Sequence, residues 1–168
     1  PQYILHLSVA CSIQATDRCK MYCGEKNQMY SAMSEELARM YNAAGRREES
    51  LACHLAVRNQ LLKNGYREGS MLLMVDNNMS VVYLDLGKPE EAIPYLTEAL
   101  ELTKENGLVG SAVAEPTWNL ARVYRALGDE EKEDIYLKAA VEGFRECYPP
   151  EHPKRIAAEQ RLKERQEE

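Results

Sequence analysis

Three histidines and five cysteines are the side chains in this 168-residue chain with the most scope for chemistry. Cys19 and Cys23 come nearest to a metal-ligand pair, but a zinc site of this kind needs C-x-x-C spacing, a second pair and a histidine close by. The thiols Cys11, Cys19, Cys23, Cys53 and Cys147 are odd in number and irregularly placed. They read as reduced thiols and not as a disulfide framework. Cys23, next to Gly24 in a turn, reads as the most oxidisable of them. His6 and His152 have no arranged partner. A cysteine–histidine nucleophile would need groups that only the fold brings together. No P-loop, GxGxxG after a strand, HExxH or GxSxG occurs. The chain therefore reads as a non-enzyme with no metal and no cofactor.

Composition narrows what could position these groups. Apolar residues make up 45% and charged residues 29%, with one Phe and one Trp. An Ala/Leu/Met/Glu-rich chain poor in β-branched residues favours helix over sheet. A net charge of -6 argues against general nucleic-acid binding, which needs clustered cations to displace counterions. No apolar run is long enough to span a bilayer, so membrane insertion is not expected. The opening PQYILHLSVACSIQATDRCK lacks the basic start and apolar centre of a signal peptide, and a cytoplasmic location is expected. Pro1 in place of Met reads as processing or excision from a longer chain.

One template recurs three times: ELARMYNAAGRREES, MSVVYLDLGKPEEA and LARVYRALGDEEKE. Its glycines are Gly45, Gly87 and Gly128, and the first interval is longer than the second by a single position. A tyrosine stands one helical turn before each (Tyr41, Tyr83, Tyr124), and a small residue a further turn back (Ala38, Ser80, Ala121). Leu37, Met40, Tyr41 and Ala44 form an apolar helical stripe, repeated by Met79, Val82, Tyr83 and Leu86 and by Leu120, Val123, Tyr124 and Leu127. The small residue lets a neighbouring helix approach, and the glycine ends the helix in a left-handed turn.

A second helix follows each glycine. Pro89, Glu90 and Glu91 suit a helix start, as do Asp129, Glu130 and Glu131. Pro94 is expected to cost little in the opening turns. Small or apolar residues recur at Ser50 and Ala92 and at Val57, Ala99 and Ala140; Glu133 breaks the first series, so the third pair should pack differently. His54 takes the place of Leu96 and Leu137 and reads as a packed, hydrogen-bonded histidine. Helix pairs are expected at 29–63, 70–106 and 111–147. The segment 1–22 reads as the second helix of an earlier pair, with Ser8 and Ala15 as its small contact residues. The segment 151–168, with Ile156, Ala157 and Leu162, reads as a polar-faced capping helix.

The pattern small-x-x-Tyr-x-x-x-Gly-x-x-x-x-Ala, seen best in Ser80, Tyr83, Gly87 and Ala92, resembles the tetratricopeptide repeat. Its long spacing is similar to the branch that includes kinesin light chains and the LGN/Pins adaptors. The segment CYPPEHPKRIAA also resembles the His-Pro turns between kinesin-light-chain repeats. The resemblance implies an all-α solenoid of antiparallel helix pairs in a single domain, 1–168, wound as a right-handed superhelix. It also implies that the first helix of each pair lines a concave groove.

By offset from the glycines that face holds Glu35, Glu36, Arg39 and Asn42, then Asn77, Asn78, Val81 and Leu84, then Trp118, Asn119, Arg122 and Arg125. In the families resembled, asparagines at the Asn78 and Asn119 position hold the backbone of an extended peptide, a task suited to a group that both donates and accepts. Glu36 departs from that pattern. Arg39, Arg122 and Arg125 could pair with carboxylates of the ligand, and Trp118 could anchor it, unless it packs between repeats. The expected peptide-binding residues are Asn77, Asn78, Asn119, Arg39, Arg122, Arg125 and Trp118, and the expected partner is a protein segment with acidic residues. The expected role is an adaptor or scaffold. The alternatives are a sensory or autoinhibitory domain controlling an attached one, and a self-association module.

Overall fold

The structure is a computed structural model describing residues 2–24, 28–66 and 70–167; side chains are described except for 2–7, Cys23 and Gln28. The described residues form α-helices and no strand. The chain divides into two compact units, Pro1–Leu86 and Gly87–Glu168.

The N-terminal unit holds α1 (Gln2–Cys23), α2 (Gln28–Ala43), α3 (Arg47–Lys63) and α4 (Ser70–Asp85). Each packs on the next, and α2 also touches α4. The turn at Gly45 follows from local hydrogen bonding. Gly45 has φ 75°, and the Tyr41 carbonyl accepts the Arg46 N–H at 2.9 Å. The signature tyrosine is thus the residue whose orphan carbonyl the glycine turn satisfies. Beyond the turn, Ser50 Oγ donates to the Ala38 carbonyl at 2.7 Å and His54 meets Glu35. These contacts step away from the turn in both directions, the register of an antiparallel pair. Leu37, Ala38, Tyr41, Ser50 and Val57 are buried, so the small and apolar series do face inward.

In α1 the expected contact residues are out by one. Ser8 and Ala15 are exposed, and Val9 and Thr16 are buried in their place. A second glycine series explains the shift: Gly24, Gly65 and Gly107 end α1, α3 and α5, and all have positive φ. In this series the first interval is the shorter one, by a single position. Stepping back from Ser50 and Val57 by the Gly24-to-Gly65 interval reaches Val9 and Thr16.

The C-terminal unit holds α5 (Pro89–Glu105), α6 (Ser111–Leu127), α7 (Glu130–Cys147) and α8 (Pro153–Glu167), again packed in chain order. Gly128 caps α6 at φ 72°, with the Tyr124 carbonyl accepting the Asp129 N–H at 3.0 Å. Asp129 then caps α7, its carboxylate accepting the Lys132 N–H. Tyr124 stacks on Tyr136 with centroids 5.4 Å apart, and Lys132 lies over the Tyr124 ring. Farther from the turn Trp118 meets Phe144 edge-on, and Ala114 meets Gly143. Pro94 and Pro116 both stand at the sixth helical residue, past the first turn, where each removes one i→i−4 bond. α5 runs on unbroken past Pro94.

Glu133, which breaks the small-residue series, is only 3% exposed and is gripped by Arg161 of α8, Nε at 2.7 Å from Oε1 and Nη2 at 3.2 Å from Oε2. The pair does pack differently, and α8 is the reason. Arg165 adds bonds to Asp134 and Glu130, and Arg145 and Arg155 share Glu159. These guanidinium partners, as hydrogen-bond donors, hold the Asp134 and Glu159 carboxyls below the usual carboxylate range. No helix among the described residues is long and apolar enough to cross a membrane.

Candidate functional site

The expected binding residues lie on α2, α4 and α6, and their surroundings differ. On α2, Arg39 is exposed and pairs with Glu36 at 2.7 Å. An exposed pair of this kind is weak and leaves the guanidinium available. Glu35 does not belong to an open face. It is 2% exposed, His54 Nδ1 lies 2.8 Å from Oε1 and 2.9 Å from Oε2, and Asn78 Nδ2 donates to Oε1 at 2.8 Å. A long acidic side chain one turn from the apolar stripe can bend inward once the neighbouring helices offer donors, and α3 and α4 do. The same bond takes up one donor of half-buried Asn78. Asn77 is half-buried beside it, and Asp76 is fully buried with Arg58 Nε donating to Oδ1 at 2.7 Å.

On α6 the side chains converge. Trp118, Arg122 and Arg125 line one pocket of about 90 Å³ with Ala121, Leu137, Glu133 and Arg161. Asn119 is only 4% exposed, and its carboxamide oxygen accepts from Arg122 Nη1 at 3.0 Å. Trp118 is half-buried against Phe144, so one edge of the indole packs in the core while another borders the pocket. Arg125 is exposed and makes no ion pair among the described residues. Three guanidiniums against one carboxylate give the pocket a positive lining, suited to an anionic side chain. Sequence reasoning missed Arg161, although it follows Asn119 by one repeat period, the interval that also separates Gly45 from Gly87.

His54 and His152 are structurally employed. His54 is packed and hydrogen-bonded, as its leucine-equivalent position implies. His152 stacks on Tyr148, whose hydroxyl donates to Glu115 at 2.5 Å. Burial, and then that bond, push the Tyr148 hydroxyl up to about 12. Burial raises the Cys53 and Cys147 thiols, which makes them poor nucleophiles. His6 and Cys23 lie outside the described side chains. Among the described residues no group of three or more His, Cys, Asp or Glu could hold a metal ion.

Residues 71–146 match the tetratricopeptide repeat family. Two crystal structures of a Podosopora anserina protein assigned as a kinesin light chain with nearly identical TPR-like repeats, one of them a point variant, superpose with TM-scores of 0.80 and 0.78. Both are 21% identical and cover 97% of this chain and 77% or 78% of theirs. BtubC (BKLC) from P. vanneervenii superposes with a TM-score of 0.78 at 18% identity, over 97% of this chain and 73% of that one. No curated protein sequence matches the chain. The repeat signature, the glycine turns and the match agree: residues 71–146 are similar to the tetratricopeptide repeat family, and the chain has the fold of the kinesin-light-chain-like repeat structures on which it superposes.

Proposed function

We propose that the chain is a protein-interaction adaptor that holds an extended, acidic segment of a partner protein along the first helices of its repeats. The observation that carries this reading is the pocket where Trp118, Arg122 and Arg125 meet Arg161. A carboxylate entering there exchanges water for charge-assisted hydrogen bonds, and an apolar neighbour on the same segment can cover the exposed edge of Trp118. Within the N-terminal unit, Arg39, Asn77 and Asn78 are the candidate contacts on α2 and α4. Asn119 acts through Arg122, which it orients. In this reading 1–168 is one repeat domain, α1 is the second helix of an earlier pair, α8 is its cap, and the protein works in the cytoplasm without catalysing a reaction.

The test is titration of a fluorescein-labelled peptide with Asp and Glu residues flanking one bulky apolar side chain. Wild type should bind it, and Arg122→Glu and Arg125→Glu should each weaken binding about ten-fold, a cost of about 1.4 kcal/mol. Asn119→Ala should weaken it less. Equal affinity for wild type and both charge reversals would overturn the reading.

A further inference from the structure

α7 gives one side to α6 and α8 and leaves another uncovered. Helical spacing puts Ile135, Ala139, Glu142 and Glu146 on that uncovered strip, and all four are exposed. Beside it runs a groove of about 250 Å³ between α7 and the start of α6, walled by Val109, Val113, Ala114, Ala139 and Gly143, with Glu146 at its rim. Val109 is 83% exposed and Ile135 58%, so apolar surface lies open along the groove. An open apolar floor with a charged border is the usual anatomy of a docking surface.

The charges on α7 divide sharply. Glu130, Glu133 and Asp134, toward α8, are all paired with Arg161 or Arg165. Glu142 and Glu146, beside the groove, have no ion-pair partner among the described residues. Lys138 and Arg145 flank the strip, and Arg145 is paired with Glu159, so two carboxylates face one lysine and the border is net acidic.

We propose that this groove docks an amphipathic helix of a partner protein, its apolar ridge of small and medium side chains seated between α6 and α7 and its lysines or arginines against Glu142 and Glu146. Apart from Glu146, the groove is walled by glycines, alanines, valines and Thr117, so a helix can lie close against it. The charge border then fixes which helix enters and in what direction. The surface is opposite in sign to the pocket around Arg122 and uses none of its residues. One chain can thus hold an acidic segment and a basic helix together.

The experiment uses two labelled helical peptides with the same Ala/Leu ridge, one flanked by lysines and one by glutamates, titrated into the whole chain. The lysine peptide should bind at least about ten-fold more tightly, and the advantage should shrink as salt is raised. Ala139→Glu, at an exposed position that leaves the core untouched, should remove its binding. Glu142→Lys with Glu146→Lys should reverse the preference. Arg122→Glu should leave it unchanged. Equal binding of both peptides, or lysine-peptide affinity unaffected by Ala139→Glu, overturns the proposal. So does concentration-dependent dimerisation of the chain abolished by Ala139→Glu, which would make the occupant a second copy.

Discussion

The pairs α2–α3 and α6–α7 descend from one template and fill the same two interior positions with opposite chemistry. Glu35 and His54 occupy them in the N-terminal unit. Trp118 and Leu137 occupy them in the C-terminal unit, each displaced by the interval from Gly45 to Gly128. The first solution is a buried hydrogen-bonded pair completed by Asn78, the second an indole and an aliphatic side chain backed by Phe144. One residue series inverts the assignment. Ser50 bonds a backbone carbonyl at the position where Glu133 meets Arg161. Each pair therefore carries one buried carboxylate, placed at a different turn. The backbone template tolerates either filling, but a polar filling requires every partner to be present.

The largest effect should come from cutting the apolar side of this comparison. Phe144→Ala, at a fully buried site, should cost about 3–5 kcal/mol, read as a lower urea midpoint by far-ultraviolet circular dichroism. Next is the polar side. Glu35→Leu strands His54 and should cost about 1–3 kcal/mol. Adding His54→Leu, which installs an apolar filling like that of the other pair, should recover most of the loss. A double variant no more stable than the single would break the idea that the two fillings are interchangeable.

Glu133→Ala comes third and should cost about 1–2 kcal/mol by taking from Arg161, itself little exposed, its two-pronged carboxylate and leaving the longer contact with Glu164. Fluorescence of the single tryptophan should report it, since Trp118 and Arg161 border the same pocket. The smallest effect is acid sensitivity. Asp134 and Glu159 have folded pKa values below the usual range. Their stabilisation is fully present above the ordinary unfolded values of about 4 and is lost as pH falls through the lower folded values. Acidification should thus loosen α8, seen as faster amide exchange there than in α6. Unchanged exchange would show that the guanidinium contacts contribute nothing.

Much of the fold was legible because its signals are local. The spacing of Tyr41 and Gly45, and of Tyr124 and Gly128, encodes a carbonyl and the turn that satisfies it, within a few residues of chain. The register of α1 was misread because the repeat interval alternates between a longer and a shorter value, and only the second glycine series from Gly24 to Gly107 reveals which applies. The candidate site was less legible. Offset from a glycine gives the side of a helix but not the direction a long side chain takes once neighbours offer partners. That is why Glu35 turns inward, Asn119 sinks to 4% exposure, and Arg161 enters from a helix that lacks the tyrosine-to-glycine signature.

Gly143 sets two preferences against each other. A glycine in mid-helix costs about 1 kcal/mol relative to alanine through backbone freedom alone, so a substitution to alanine would improve α7 as an isolated helix. In the folded unit the added methyl carbon would lie 2.9 Å from Ala114 Cβ, too near to be absorbed. The smallest possible side chain becomes a wedge, driving apart two helices that the Trp118–Phe144 contact ties together a turn away. Residue 143 is in effect a spacer of zero thickness, and intrinsic helix propensity is sacrificed there to fix an interaxial distance.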